Sequence, residues 1–252
     1  MVIESLAPYV LIFILGACLG SFLNVCIYRL PLEQSVLHNG SHCPTCGKYL
    51  KIIDLIPMLS YMFLKGHCRY CKCTISPQYP IVELVTALLC TSAYGLWGKQ
   101  WHTLAMVVFF AVLITAALID LKEGIIPDEI ILTGILLGAP LILLSGVLIN
   151  GLLGFTCAGL FFLLIAYLSR GGMGGGDIKL AALMGFYLGT PNIIAAVFIS
   201  FITGGVASLI LLAQKRKGMK DPLPFGPFLV LGGITASFGA ETMINWYINF
   251  AF

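Results

Sequence analysis

Charge is scarce in this chain. Only 10% of its 252 residues are Asp, Glu, Lys or Arg, 59% are hydrophobic, and the mean hydropathy is +1.00. A soluble domain carries about 25% charged residues, so a water-soluble globular protein is excluded and a polytopic membrane protein is expected. The net charge of +3 is small and says little about partners, and no nucleic-acid partner is expected. A basic leader is also missing: the chain begins "MVIESLAPYV", and the apolar run that follows is too long and lacks a small-residue cleavage site. It reads as a first span, not as a removable signal peptide. Long polar stretches are scarce too, and only 29–79 could form a domain outside the bilayer.

About 20 apolar residues are needed to cross roughly 30 Å of hydrocarbon. That rule places eight spans near 8–28, 80–97, 103–119, 127–145, 147–169, 176–190, 191–213 and 225–246. The predicted fold is therefore all-α with about eight transmembrane helices. It divides into a first helix (1–28), a small insertion (29–79) and a seven-helix membrane domain (80–252). Arg29, Lys48, Lys51, Lys65, Arg69, Lys72, Lys122, Arg170, Lys179, Lys215, Arg216, Lys217 and Lys220 fall in odd-numbered connections, and Lys99 alone falls in an even one. Thirteen against one puts the odd connections, and with them the insertion, in the cytoplasm.

The stretch "SRGGMGGGDIKL" at 169–180 sets Asp177 directly after a run of glycines. The twelve residues that follow it make only about 18 Å of helix, too short to cross. The glycines 171–176 are therefore expected to dip into the membrane from the cytoplasmic side, carrying Asp177 to the head of a short helix. Irregular backbone at that depth is tolerated where protein buries it or a wet cavity adjoins it. An ordinary N-cap accounts for Asp177 equally well, but an acid in the apolar zone calls for a partner. Glu4 and Glu241 fall on the outer side, and Glu33, Asp54 and Asp221 fall in polar connections. Glu83 starts the second span, whereas Asp120 ends the third on the same face as Asp177.

Two nearby carboxylates share a proton, so that one acts as base on a water while the other polarises a carbonyl. This is the chemistry of an aspartic peptidase. Asp120 stands at a helix C-terminus and Asp177 at an N-terminus, and the helix dipoles predict that Asp177 starts ionised and Asp120 protonated.

The segments "DLKEGIIPD" and "GMGGGDIKL" closely resemble the signatures of the type IV prepilin peptidases, membrane aspartic peptidases with a Gly-x-Gly-Asp motif. "GSFLNVCIYRLP" at 20–31, "ISPQYPIVEL" at 75–84 and "PFGPFL" at 224–229 extend the resemblance, in order, over nearly the whole chain. It implies that Asp120 and Asp177 are the catalytic pair. It further implies that the chain cuts the short basic leader of prepilins and pseudopilins at the cytoplasmic face of the bacterial inner membrane. Glu123, Asp128 and Glu129 offer attraction for such a leader, although a solvated helix start explains them without one.

Within the insertion, Cys43 and Cys46 form one C-x2-C pair and Cys68 and Cys71 another, twenty-one residues apart. That spacing fits a four-thiolate zinc ribbon. A cytoplasmic location disfavours disulfides, and a polar insertion of about 50 residues gains stability from a metal. Four sulfurs leave no open position for water, so the zinc is expected to be structural. Cys73 is a further candidate ligand, while His42 and His67 flank the pairs. Cys18, Cys26, Cys90 and Cys157 fall inside spans as small apolar residues.

Long members of the family that retain such an insertion also methylate the new N-terminus with S-adenosylmethionine, and the resemblance implies the same here. The residues themselves offer no strand with a glycine-rich turn for that donor. Glu33 is a thin basis for a donor site, so no donor-binding residues are assigned. Ser21, Asn24 and Arg29 read as packing, a cross-helix hydrogen bond and an interfacial snorkel respectively, and Gly16 and Gly20 as a close helix contact. A proton- or cation-coupled transporter is the main alternative, but it calls for an inverted repeat and acids at the midplane. A non-catalytic scaffold would tolerate loss of either Asp.

Overall fold

The computed structural model describes residues 2–36, 40–169, 172–214 and 223–251. Arg170 and Gly171 of the glycine run, Lys215, Arg216, Lys217 and Lys220 of the basic cluster, and Asp221 lie outside the described residues, as do the side chains of Glu4 and Glu241. Nine α-helices occur among the described residues. They are α1 (Val2–Arg29), α2 (Leu59–Phe63), α3 (Gln78–Trp97), α4 (Trp101–Glu123), α5 (Asp128–Leu144), α6 (Leu148–Leu168), α7 (Gly175–Leu188), α8 (Asn192–Ala213) and α9 (Gly226–Ala251). There is no strand among them, only two isolated bridges. Helices thus occupy all eight intervals expected to cross. Five of them, α1, α3, α4, α6 and α8, are long and apolar enough to span a bilayer. The protein is a multi-pass membrane protein.

The chain divides into two compact units, Met1–Thr115 and Ala116–Phe252, with the boundary inside α4. In the first, α1 and α3 run antiparallel with their backbones almost touching. A Cβ at Gly20 would come within 2.6 Å of Glu83 Cα, and one at Gly16 within 2.8 Å of Ala87 Cα. The expected glycine contact is therefore between these helices. Asn24 donates to the Tyr79 carbonyl across the same seam, at 3.1 Å. Arg29 does not snorkel. It is buried and donates to the carbonyls of Ser35 and Gly40, both at 3.2 Å, so it clamps the chain leaving α1.

In the second unit α7 is the central element. Leu180 to Leu188 are all buried, as expected of a helix that is apolar on every side. Its glycines make this possible: a Cβ on Gly154 of α6 or on Gly185 of α7 would strike the other residue's carbonyl. Tyr187 donates to the Gly134 carbonyl at 2.6 Å and ties α7 to α5. At 14 residues α7 is only about 21 Å long, and protein rather than lipid surrounds it.

Candidate functional site

Asp120 lies on the last turn of α4 and is buried, 6% exposed. The helix ends four residues later at Gly124, whose φ of +67° suits glycine and whose N–H is donated back to the Asp120 carbonyl. Asp177 is the third residue of α7. Gly174, in extended conformation, is the N-cap, so Asp177 is not the cap that its position after the glycines suggested. Its own N–H is instead donated to the Gly174 carbonyl, at 3.2 Å.

The two carboxyl groups are close enough that the charge of Asp120 acts on Asp177. Ile126, in the connection between α4 and α5, fixes this approach: a Cβ on Gly176 would meet the Ile126 Cβ at 3.0 Å. The glycine before Asp177 thus lets the loop that follows Asp120 close against the start of α7.

A third segment completes the site. The Gly226 N–H, at the N-terminus of α9, is donated to Asp120 Oδ2 at 2.9 Å. A Cβ at position 226 would stand 2.6 Å from that oxygen. Phe225 is held by Phe201 and Phe162, with ring centroids 5.3 and 6.3 Å away. Asp120 thus ends one helix but also faces the N-terminus of another. Of the nearby acids, Asp128 is bound to Lys179 at 2.6 Å, while Glu123 and Glu129 are exposed. In the sequence this segment stands out only as "PFGPFL" of the family resemblance, with a glycine between two prolines as its local signal.

The insertion holds two copies of one turn. Cys43 donates its N–H to Lys48 and Cys68 its own to Cys73, at 3.0 and 2.8 Å. Gly47 and Lys72, each four residues after the first cysteine, both have left-handed φ, +67° and +63°. The bridges His42–Tyr49 and His67–Thr74 repeat at the same offset. Cys43, Cys46, Cys68 and Cys71 bring their sulfurs within 4.8 Å of one another, and Cys43 Sγ and Cys71 Sγ are 3.8 Å apart. Four sulfurs about 2.3 Å from a tetrahedral zinc are about 3.8 Å apart, so the four residues fit that metal. The N–H groups of Cys46 and Thr45 bring the Cys43 thiol down to about 6, and those of Cys71 and Tyr70 lower Cys68. Thiolate is the form that binds metal. Cys71 is pushed up to about 12: the Cys73 N–H works to lower it, but the thiols crowded around it outweigh that. Cys73 stands outside the set of four but touches it, 3.2 Å from Cys71 and 3.6 Å from Cys43. Asp54 braces the second turn through Arg69 Nε at 2.6 Å. Burial works to raise its carboxyl, but the Arg69 bond and charge and the Lys51 N–H outweigh burial and hold it below the usual range.

Two acids from separate helices, met by a third distant segment and accompanied by a cysteine-rich insertion, define a membrane protein of the di-aspartate type. Comparison with known proteins gives the family. Residues 14–97 match the Bacterial Peptidase A24 N-terminal domain, and residues 107–209 match the Type IV leader peptidase family. A "Prepilin leader peptidase/N-methyltransferase" of Bacillus subtilis is 38% identical over 96% of this chain and 98% of its own length. Relatives of the same description from Pseudomonas aeruginosa (31% identical, 99% and 98%) and Aeromonas hydrophila (29%, 95% and 93%) are also similar. No solved structure matches. The chain belongs to the type IV leader peptidase family.

Proposed function

We propose that this protein cleaves the leader of type IV prepilins and pseudopilins with Asp120 and Asp177 as its catalytic pair, and then N-methylates the new N-terminal residue. The observation that carries the reading is the convergence of two acids from α4 and α7, with the α9 N-terminus donating to one of them. Such a pair holds one proton between two carboxyls. One carboxylate takes a proton from the attacking water, while the other, protonated, polarises the scissile carbonyl. The Gly226 N–H fixes the plane of the Asp120 carboxyl so that its second oxygen serves the reaction.

The wider reading follows. Eight helices cross the bacterial inner membrane, α5, α7 and α9 among them, and both acids face the cytoplasm. The division into 1–28, 29–79 and 80–252 separates a first span, a cytoplasmic four-cysteine zinc insertion and the peptidase domain. Zinc bound to Cys43, Cys46, Cys68 and Cys71 holds the insertion in shape. Methyl transfer rests on the description shared by the relatives, with S-adenosylmethionine as donor. The described residues contain no strand-and-glycine cradle for that donor, and no step through it is derived. The transporter alternative has no support among the relatives. Mass spectrometry of a reconstituted prepilin, with and without S-adenosylmethionine, tests both activities. Cleavage lost in Asp120→Ala and Asp177→Ala, with a donor-dependent methyl on the wild-type product, supports them. An intact substrate with folded wild-type protein refutes the peptidase reading.

A further inference from the structure

The insertion departs from a water-soluble zinc domain in one respect. Between residues 52 and 63 its apolar side chains point outward. Ile52 is 87% exposed, Phe63 82% and Met62 69%, and Ile53, Leu55, Ile56 and Leu59 are exposed as well. The one acid of the stretch, Asp54, is turned inward with a side chain 3% exposed, held by Arg69 and by the Lys51 N–H at 3.2 Å. This pattern is apolar-out and polar-in, the reverse of a surface built for water, and neighbouring exposed apolar side chains of this kind mark a contact surface.

The attachment of the segment indicates what covers it. The Met58 N–H is donated to Glu83 Oε2 at 2.7 Å. Glu83 is the sixth residue of α3, a helix long and apolar enough to cross the bilayer, and lies about 7.5 Å along its axis from Gln78. Met58 is itself bent into a φ of +59° at the start of α2. Residues 52–63 are therefore tethered below the first turn of α3, which in a helix that crosses the bilayer lies near the level of lipid headgroups and upper acyl chains. Exposed lysines, Lys51 and Lys65, bracket the segment. Lysine at such a place attracts anionic headgroups while its stem lies along the apolar layer.

We propose that residues 52–63 dip into the anionic lipid interface and moor the cysteine insertion flat against the membrane. The occupant of the apolar face is the bilayer itself. The inference rests on α3 crossing the membrane and is independent of the peptidase reading. Each exposed side chain that enters the apolar layer adds to the anchorage in proportion to its buried area, while α2 alone is too short to bind a membrane.

The test places an environment-sensitive fluorescent amino acid at position 63 of the full-length, zinc-loaded protein, and separately at Thr45, an exposed position on the first cysteine turn. Both proteins are reconstituted into phosphatidylcholine–phosphatidylglycerol vesicles. Quenching by acyl-brominated lipid and by aqueous iodide is then compared. The expected result is lipid quenching at least about threefold stronger at position 63 than at position 45, with iodide quenching in the opposite order. Equal iodide access at both positions would overturn the proposal. Protection of position 63 from both quenchers would overturn it too, since protein rather than lipid would then cover the face. The label replaces a side chain that is already exposed, so folding is undisturbed, and bound zinc measured on the same samples verifies the insertion.

Discussion

The cysteine insertion and the acid pair are each a small set of reactive side chains brought together, but they are assembled in opposite ways. In the insertion a single turn is used twice, and backbone N–H groups within each copy set the cysteine that begins it. Each half is local, so a spacing of two residues suffices to specify it. The acid pair has no local unit. Asp120 comes from a helix end, Asp177 from a helix start, and the N–H that orients Asp120 arrives from 106 residues further along the chain. The first site is held by its own turns, the second by helix packing through glycines. Damage should accordingly stay local in one and spread from remote positions in the other.

The largest effect expected of that difference is on the metal. Cys43→Ser removes one of the four proposed ligands, and structural zinc contributes on the order of 10–16 kcal/mol to the folding of small metal domains. Bound zinc should be lost and the insertion should become protease-sensitive, whereas Cys73→Ser should retain the metal. Elemental analysis with limited proteolysis reads both. Next is Gly226→Ala, which sets a methyl 2.6 Å from Asp120 Oδ2. A displacement of about 1 Å at a reacting group costs about 100-fold, so prepilin cleavage should fall by about 10- to 100-fold with zinc content unchanged. Loss of zinc in that variant would break the distinction.

Smaller effects sharpen it. Asp54→Asn should destabilise the insertion by about 1–2 kcal/mol at neutral pH. Asp54 is held below its unfolded value, which is about 3.9. Its contribution is thus complete above that value and lost as pH falls through the folded one, and the variant should lack this acid sensitivity in thermal unfolding. Smallest is Asp128→Ala. Its partner Lys179 is half exposed and Asp128 more so, and such pairs contribute about 0–1 kcal/mol. Melting temperature and cleavage rate should both stay close to wild type.

How much could be read beforehand follows the same division. The cysteine pairs and the helical intervals were legible because each is a local pattern of spacing or hydropathy. Motif order singled out Asp120 and Asp177 as the proposed pair. Their surroundings were not. Three glycines ahead of Asp177 give no signal for which one caps the helix, and Gly174 proved to be that residue. Arg29 was expected at the lipid interface, but its partners are backbone carbonyls of Ser35 and Gly40, which every residue type carries alike. The dipole argument for the acids counted only the helices that bear them, and it could not foresee the α9 N-terminus facing Asp120. The insertion's outward apolar face was hidden for a related reason: composition counts apolar residues without saying which way they point.

The most direct test of the central claim is prepilin cleavage by Asp120→Asn, Asp177→Asn and the double variant, reconstituted and verified to hold zinc. If the two acids act as one unit, each single change should lower the rate by at least about 1,000-fold and the double variant should be no worse than either, as found for groups that work together. Cleavage that survives in either folded single variant, or losses that multiply in the double, would contradict a shared catalytic pair.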